Sequence, residues 1–212
     1  FGSTRLHPDY DAGSPFTAAG APGAFAIAAQ PTLDPRVALL LPFGESMARS
    51  SAIVNVTRNE DGILRDVPLR EKVGDWALPS LPLRVAAAAT GRAPATYGEA
   101  VRPNWRQHSR LPHISAADLL EDGAPVCRDE GEVLPVLRGK VVLVGHTAAG
   151  INDAKPTPVD PVMPGVEVIA EATEALVAGS GIRTPPAGLK YLLAIVLSVG
   201  LVVDDAIVVV EN

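Results

Sequence analysis

Apolar positions recur with a helical period in two segments of this chain. Residues 165–179, GVEVIAEATEALVAG, place apolar side chains at spacings of three and four, with glutamates between them. This pattern predicts an amphipathic helix that ends at Gly179. Residues 78–92 predict a second helix, with Pro82 in its first turn and Gly91 as its C-cap. In the first helix the predicted core face is Val166, Ile169, Ala170, Thr173, Leu176 and Val177, and the predicted solvent face is Glu167, Glu171 and Glu174.

Short runs rich in β-branched residues predict strands. KVVLVG at residues 140–145 has no alternation, which indicates a strand buried on both faces. Residues 52–57 and 63–69 flank the turn sequence NEDG and predict a hairpin. Strands and helices together predict an α/β fold, with a mixed or mostly parallel sheet flanked by helices. Further expectations are apolar strand-length runs at 24–30 and 36–42, a short strand at 104–105, a helix starting at Ser115, and a loop over residues 1–23.

The most apolar segment lies at residues 189–210, where 14 of 22 residues are Leu, Ile or Val. A helix of that length spans the roughly 30 Å hydrocarbon core of a bilayer. Its aliphatic residues favour insertion by about 6 kcal/mol, while Asp204 and Asp205 oppose it by about 2.5–3.5 kcal/mol each. Residues 187–212 are therefore predicted to form a C-terminal transmembrane-like helix whose insertion is marginal.

Composition narrows the classes of function. The net charge is −6 and no basic patch or aromatic platform is present, which excludes nucleic acid as a partner. Cys127 is the only cysteine and the four histidines lack metal-ligand spacing, so neither an internal disulfide nor a metal site is predicted. Gly139-Lys140 is followed by Val141 instead of Ser or Thr, so no P-loop is present. No cofactor and no catalytic constellation are predicted, which favours a non-enzymatic domain.

The loop after the predicted 140–145 strand is the candidate binding site, because α/β folds often bind ligands where such a strand ends. Two structural alternatives to a binding site stay open. In the first, the loop contains glycines only because its backbone shape needs them. In the second, the polar side chains at 153 and 157 cap turns instead of contacting a ligand. The candidate ligand contacts are His146, Thr147, Asp153 and Thr157.

The order of several motifs resembles the type 2 CHASE domain, a sensory domain found outside the cytoplasmic membrane in bacterial signalling proteins. In that family a Gly-Lys-Val-Val-Leu-Ile-Gly strand precedes a loop with Thr-Pro, then Pro-Gly-Val-Glu and a helix, as in residues 138–179. NEDGILRDVPL at 59–69 resembles the family's Asp-Gly-Val-x-Arg hairpin, and residues 77–86 and 104–105 resemble its Pro-Ser-Leu helix and Asn-Trp strand. The matching residues are Asp61, Gly62 and Arg65 in the hairpin, and Gly139, Lys140, Gly145, Gly150, Asp153, Thr157, Pro158, Pro164, Gly165 and Glu167 further on.

The resemblance covers residues 35–186 and implies a sensor domain there. Residues 1–34 are expected to be the truncated N-terminal part of that domain, and the chain is expected to be a fragment. A cyclase or kinase output would lie outside it. Ile169 stands where the family usually has histidine, so no role for that imidazole carries over. For Asp61, Gly62 and Arg65 the turn and an ion pair are the simplest interpretation.

Residues 192–212 resemble a different family. LLAIVLSVGLVVDDAIVVVEN is similar to the fourth transmembrane helix of resistance-nodulation-division efflux transporters, where paired aspartates relay protons. Asp204 and Asp205 are therefore candidate relay residues. A relay would need a partner from another helix, so an anchor or a chimeric junction is the favoured interpretation.

The expected function is an extracytoplasmic sensory domain, with residues 1–186 in the periplasm or outside the cell and a membrane helix after them. The expected partners are the membrane and an unidentified small molecule or protein that acts as the stimulus. The glutamates of the 165–179 helix are predicted to be a solvated face, with a homodimer surface as the alternative. A fragment of a proton-driven efflux transporter, or a chimera with one, is the alternative function.

Overall fold

The computed structural model describes residues 1–57, 59–106, 111–115, 117, 137, 139–147, 153–183 and 188–198. The chain divides into two units, Phe1–Gly181 and a second unit that begins at Ile182. The predictions for Ser115 as a helix start and for Cys127, Gly150, Asp204 and Asp205 fall wholly or mainly outside the described residues.

Short strands and two longer helices build the first unit. The strands are β1 Gly2–Arg5, β2 Phe25–Ala26, β3 Leu39–Leu40, β4 Ala52–Ile53, β5 Val67–Pro68, β6 Arg70–Val73, β7 Trp76–Pro79, β8 Ala100–Val101, β9 Ala154–Lys155 and β10 Met163–Pro164. The helices are α1 Glu45–Arg49, α2 Leu81–Thr90 and α3 Gly165–Ala178, with 3-10 turns at Pro8–Gly13 and Pro94–Thr96.

The strands pair in both directions. β1 lies between β3, to which it is antiparallel, and β4, to which it is parallel. β7 lies between β2 and β6 and is antiparallel to both. The pairs β5–β8 and β9–β10 are antiparallel. A bridge between Ile53 and Ser80 joins the first two groups. The predicted α/β character with mixed sheets is confirmed.

Both predicted helices are present, and their ends follow local chemistry. Ser80 caps α2, its hydroxyl oxygen accepting a hydrogen bond from the Leu83 N–H at 3.5 Å. Gly91 and Gly179 follow α2 and α3 in the left-handed conformation, at φ 69° and 65°. That conformation lets the chain leave the last helical turn without a Cβ clash. α2 and α3 pack against each other.

The core consists of two clusters of buried side chains. The first, which we call the helix cluster, lies between α2, α3 and the strands β5 and β8. The second, the sheet cluster, lies under β3, β4 and β7. The helix cluster comprises Leu64, Val67, Leu69, Leu83, Ala86, Tyr97, Val101, Met163, Val168, Ala172 and Ala175, and the sheet cluster Ala18, Ala21, Val37, Leu39, Ile53 and Leu78.

The predicted core face of α3 is wrong in part. Val168, Ala172 and Ala175 are buried along this helix. Val177, predicted to face the core, is 45% exposed, whereas Glu171, predicted to face solvent, is only 3% exposed. α3 is apolar around most of its circumference, so periodicity did not distinguish its faces. The buried residues include Gly165, Ala172 and Ala175, whose small size allows close packing.

Three strand predictions also differ. Residues 1–23 contain β1 instead of forming a loop throughout, because β3 and β4 pair with it. The segments 52–57 and 63–69 do not pair with each other; β4 pairs with β1 and β5 with β8. Residues 104–105 are not in a strand.

The prediction of a buried strand at 140–145 is wrong in the described structure. These residues form no strand, and Val141, Val142 and Val144 are 52, 50 and 88% exposed. A strand needs a hydrogen-bonding neighbour. Within the described residues no strand pairs with this segment, and its first amide, that of Lys140, donates to the Leu137 carbonyl at 3.2 Å.

In the second unit, residues 188–198 are helical. Their large apolar side chains are all 44% or more exposed, from Leu189 to Leu197. Among the residues that the structure describes, no helix has the length and apolar character required to cross a bilayer.

Candidate functional site

Two polar segments meet at the first turn of α3. A Cβ atom added to Gly145 would lie 2.5 Å from the Val166 Cβ, so residue 145 lies directly against that turn. The Gly165 N–H donates to the Asp153 carbonyl at 2.8 Å, and the Asp153 carboxylate occupies the space that a Cβ on Gly165 would need. Glycine is therefore required at 145 and 165 for close approach. This convergence brings His146 and Asp153 to the same end of the helix.

The candidate ligand residues differ in their exposure and in the groups that they contact. His146 and Thr147 are exposed. Asp153 is also exposed, and its carboxylate lies 3.1 Å from the Lys155 ammonium. No hydrogen bond or ion pair within the described structure joins His146 or Thr147 to Asp153 or Thr157. The first turn of α3 therefore lies beside the Asp153 carboxylate, which pairs with the Lys155 ammonium, and beside Gly145, which precedes the exposed His146.

Thr157 has a local role. Its hydroxyl donates to the Asp160 carbonyl at 3.0 Å and accepts from the Asp160 N–H at 3.1 Å. The residue is buried, and Pro158 lies within the same turn. This geometry fits the turn-capping alternative for Thr157. Pro164 belongs to β10, which pairs with β9 directly before α3 begins.

The remaining motif residues that the structure describes are Gly139, Lys140 and Glu167. Gly139 adopts a φ of 72°, the conformation of a tight turn. Lys140 is exposed, and Glu167 is half-buried in the first turn of α3, where a negative charge is favoured by the helix dipole.

The turn at residues 59–65 is held by side chains. Gly62 has a φ of 80°, and the Asp61 carboxylate accepts from the Ile63 N–H at 3.1 Å. The same carboxylate lies 2.6 Å from the Arg65 guanidinium. The hydrogen bond from Arg65 holds the pKa of Asp61 below its usual value. The Asn59 side chain accepts from the Arg65 N–H at 3.0 Å.

Two further hydrogen bonds connect this turn with the rest of the domain, and the sequence did not predict them. The Leu64 N–H donates to the Pro156 carbonyl at 2.7 Å, between the polar segment and the turn. The Trp105 indole N–H donates to the Arg65 carbonyl at 3.0 Å. The sequence pattern indicates Trp105 only as part of an Asn-Trp strand motif. Its indole is the signal that could have indicated a partly buried hydrogen-bond donor.

Within the described residues no group of three or more His, Cys, Asp or Glu side chains is arranged to hold a metal ion.

The arrangement is that of a mixed-sheet α/β domain with polar segments gathered at the start of α3. Residues 16–203 match the CHASE2 domain, and the chain belongs to this family. The resemblance to the type 2 CHASE domain is thereby confirmed. CHASE2 domains are extracytoplasmic sensory domains of membrane-bound signalling proteins and are not catalytic. No curated protein and no solved structure matches the chain. The similarity of residues 192–212 to an efflux transporter stays a prediction.

Proposed function

We propose that this domain detects a small polar molecule outside the cytoplasm and passes the signal through α3 towards an output domain of the same signalling protein. The observation that carries the proposal is the dual contact of α3. Its first turn receives the polar segments that contain Gly145 and Asp153, and its buried face packs on α2. A ligand bound at the first turn would therefore act directly on a helix that reaches through the core.

The contact between α2 and α3 supports a movement of the helix as the transmitting step. Val168, Ala172 and Ala86 are fully buried in the helix cluster. Small side chains at such a contact leave few interlocking groups, so a shift of one helix along the other costs little repacking. The ligand need only bind one helix position more tightly than the other.

His146, Thr147 and Asp153 are the ligand contacts in this proposal, and Thr157 holds the turn beside them. Residues 187–212 would connect the sensor to the membrane, with residues 1–186 outside the cytoplasm. The output activity would belong to a domain beyond this chain.

The test uses the full-length gene product in membrane vesicles, with its output activity as the readout. Asp153→Asn and His146→Ala are expected to reduce the response to stimulus and leave basal output unchanged. Ala172→Leu, which overpacks a fully buried position of the helix cluster and so displaces α3, is expected to shift basal output. Leu33→Ser, at an exposed site on another loop, serves as the control. Output that is indifferent to deletion of residues 1–181 would contradict the proposal.

A further inference from the structure

A pocket of about 220 Å³ lies where β4, β6 and the end of β7 meet. Glu71 and Leu78 are directly paired across β6 and β7. The Ser80 N–H donates to the Leu69 carbonyl at 2.9 Å, which continues this pairing past the end of β7. Glu71 and Ser80 are therefore diagonal neighbours on one face of the sheet, about 7–8 Å apart. The lining of the pocket includes an apolar set, Ile53, Pro68 and Leu78, and a polar set, Thr57, Glu71 and Ser80.

The Glu71 carboxylate has one oxygen to offer to a ligand. Its Oε1 accepts a hydrogen bond from the Arg5 Nε at 3.0 Å, and no group in the described part of the chain donates to its Oε2. The Glu71 side chain is 40% exposed, so a ligand can reach it. Arg5 does not neutralise Glu71 completely, because its guanidinium also pairs with Asp11 at 2.7 Å. One cation between two carboxylates leaves this group with a net negative charge at neutral pH.

Two hydroxyl groups accompany this carboxylate. Thr57 is exposed, and its hydroxyl has no hydrogen-bond partner among the residues that the structure describes. Ser80 is only 5% exposed. Its oxygen accepts from the Leu83 N–H at 3.5 Å, while its own O–H has no acceptor within the described ranges. Because a hydroxyl that is nearly buried normally has an acceptor, the Ser80 O–H is available to a molecule in the pocket that it lines.

Arg70 also lines the pocket, but its guanidinium is engaged elsewhere. It lies 5.2 Å from the centroid of the Phe25 ring and donates to carbonyls of the 94–98 segment at 3.0 and 3.2 Å. Phe25 and Glu71 pair with neighbouring residues of β7, so they lie on opposite faces of the sheet. The Arg70 guanidinium is therefore directed away from Glu71, and it leaves the negative charge on that face unbalanced.

We infer that this pocket binds a small amino alcohol, a molecule with a primary ammonium group and a hydroxyl group at the two ends of a short aliphatic chain. The ammonium group donates to the free oxygen of Glu71 and to the Thr57 hydroxyl, and the ligand hydroxyl accepts from Ser80. A chain of about four carbon atoms covers the diagonal between Glu71 and Ser80. Its methylene groups lie over the apolar floor at Leu78.

The pocket is held in shape without a ligand. The Asn55 side chain, which also lines it, accepts from the Arg5 N–H at 2.7 Å and donates to the Arg5 carbonyl at 3.0 Å. Such preformed walls are typical of binding sites for small molecules. The inference does not rest on the function proposed above, because the residues that line this pocket differ from the candidate contacts at the first turn of α3.

The probe is 4-aminobutan-1-ol, titrated into the full 212-residue chain in a mild non-ionic detergent that covers the apolar 188–198 helix. Amide chemical shifts in ¹H–¹⁵N spectra should move at residues 53–57 and 71, with a dissociation constant of about 1–10 mM, as expected for so small a ligand. Butane-1,4-diol has the same shape without the charge and should bind at least about tenfold more weakly. Equal affinities for the two probes, or no shifts at these residues, would overturn the inference.

Variants separate the carboxylate from the rest of the pocket. Glu71→Gln should weaken binding of the amine about tenfold and leave that of the diol nearly unchanged, because only the amine forms a charge-assisted hydrogen bond. Glu99→Gln is the matched control, since that exposed carboxylate pairs with Lys72 and does not line the pocket. An unchanged affinity in Glu71→Gln would contradict the inference.

Glu71 also holds Arg5, so a second variant keeps the test decisive if Glu71→Gln folds poorly. Thr57→Val changes an exposed side chain without a described partner and should weaken binding of the amine about threefold to fivefold. Equal affinity in Thr57→Val and the parent would count against the site. Asp153→Asn should have no effect here. If it alone abolished binding, the amine would bind at the first turn of α3, which would overturn this inference and leave the proposed function intact.

Discussion

At the residue scale, Arg5 is a buried charged side chain that contacts several polar groups. Only 6% of its side chain is exposed, and its guanidinium makes a two-pronged contact with Asp11 at 2.7 Å. It also donates to Glu71 at 3.0 Å and to the carbonyls of Leu6 and Ala38. The hydrogen bond from Arg5 lowers the pKa of Asp11. This residue therefore fixes β1, the 3-10 turn after it and β6 in one arrangement.

Replacing Arg5 tests that role. Arg5→Met should lower the free energy of unfolding by about 2–4 kcal/mol, because two carboxylates and two carbonyls lose a shared donor in a largely dry site. Arg5→Lys should recover little of it, since an ammonium group cannot reproduce the planar fork. Urea unfolding followed by circular dichroism measures the change. Lys72→Met is the matched control, because its ion pair with Glu99 is exposed and should contribute less than about 1 kcal/mol.

A second ion pair makes stability depend on pH. The Arg102 guanidinium meets both oxygens of Asp66, at 2.8 and 2.6 Å, and this hydrogen bonding lowers the pKa of Asp66 in the folded state. A depressed carboxyl pKa adds stability above the unfolded value of about 3.9, and that stability is lost as the pH falls through the folded value.

Asp66→Asn should therefore destabilise the domain at pH 7 by about 0.5–1 kcal/mol, and the difference from the parent should shrink towards zero below about pH 4. Urea midpoints measured from pH 7 to pH 2 give the two curves. Glu60→Gln removes an exposed carboxylate nearby and should run parallel to the parent. A difference that stays constant over the whole range would show that Asp66 stabilises the fold by something other than its charge.

At the element scale, helix ends could be predicted and helix faces could not. Ser80, Gly91 and Gly179 act within a few residues of their own positions, so a local pattern is enough to identify them. Which side of α3 faces α2 depends on a helix more than 70 positions earlier in the chain. The same distinction applies to the candidate site. The turn around Gly62 is local, whereas the meeting of Gly145 with Val166 is long-range and follows from no spacing in the sequence.

The end of α3 gives an element-scale prediction that isolates backbone conformation. Nothing lies within 4 Å of a Cβ added at Gly179, so the only cost of Gly179→Ala is its φ of 65°. We expect a loss of about 1 kcal/mol, with a smaller loss for Gly179→Asn, which tolerates the left-handed conformation better. Gly13→Ala is the control, because that site is equally open but has no positive φ. Equal changes in the urea midpoint for both alanine variants would refute the assignment.

At the scale of the whole domain, the sequence indicated the α/β class but not how its short strands connect. Strands of two to four residues are too short to show a clear alternation of apolar and polar positions. Their pairing partners depend on packing with residues far away in the sequence. The result is a core in two clusters that share neighbouring elements. Leu78 on β7 belongs to the sheet cluster, and Leu83 on α2 belongs to the helix cluster. Only Pro79, Ser80 and two residues of α2 separate them.

That connection predicts that residues 1–181 unfold in one step. The two tryptophans of the chain report on the two clusters separately, since Trp76 packs on the sheet cluster and Trp105 on the helix cluster. In Trp105→Phe the fluorescence follows the sheet cluster, and in Trp76→Phe it follows the helix cluster. Each variant should show a urea transition that coincides with its own far-ultraviolet circular dichroism.

Leu83→Ala, which removes a fully buried side chain from the helix cluster at a cost of about 2–5 kcal/mol, should move the Trp76 signal as far as the Trp105 signal. If Leu83→Ala moved the Trp105 transition alone, the two clusters would be independent folding units.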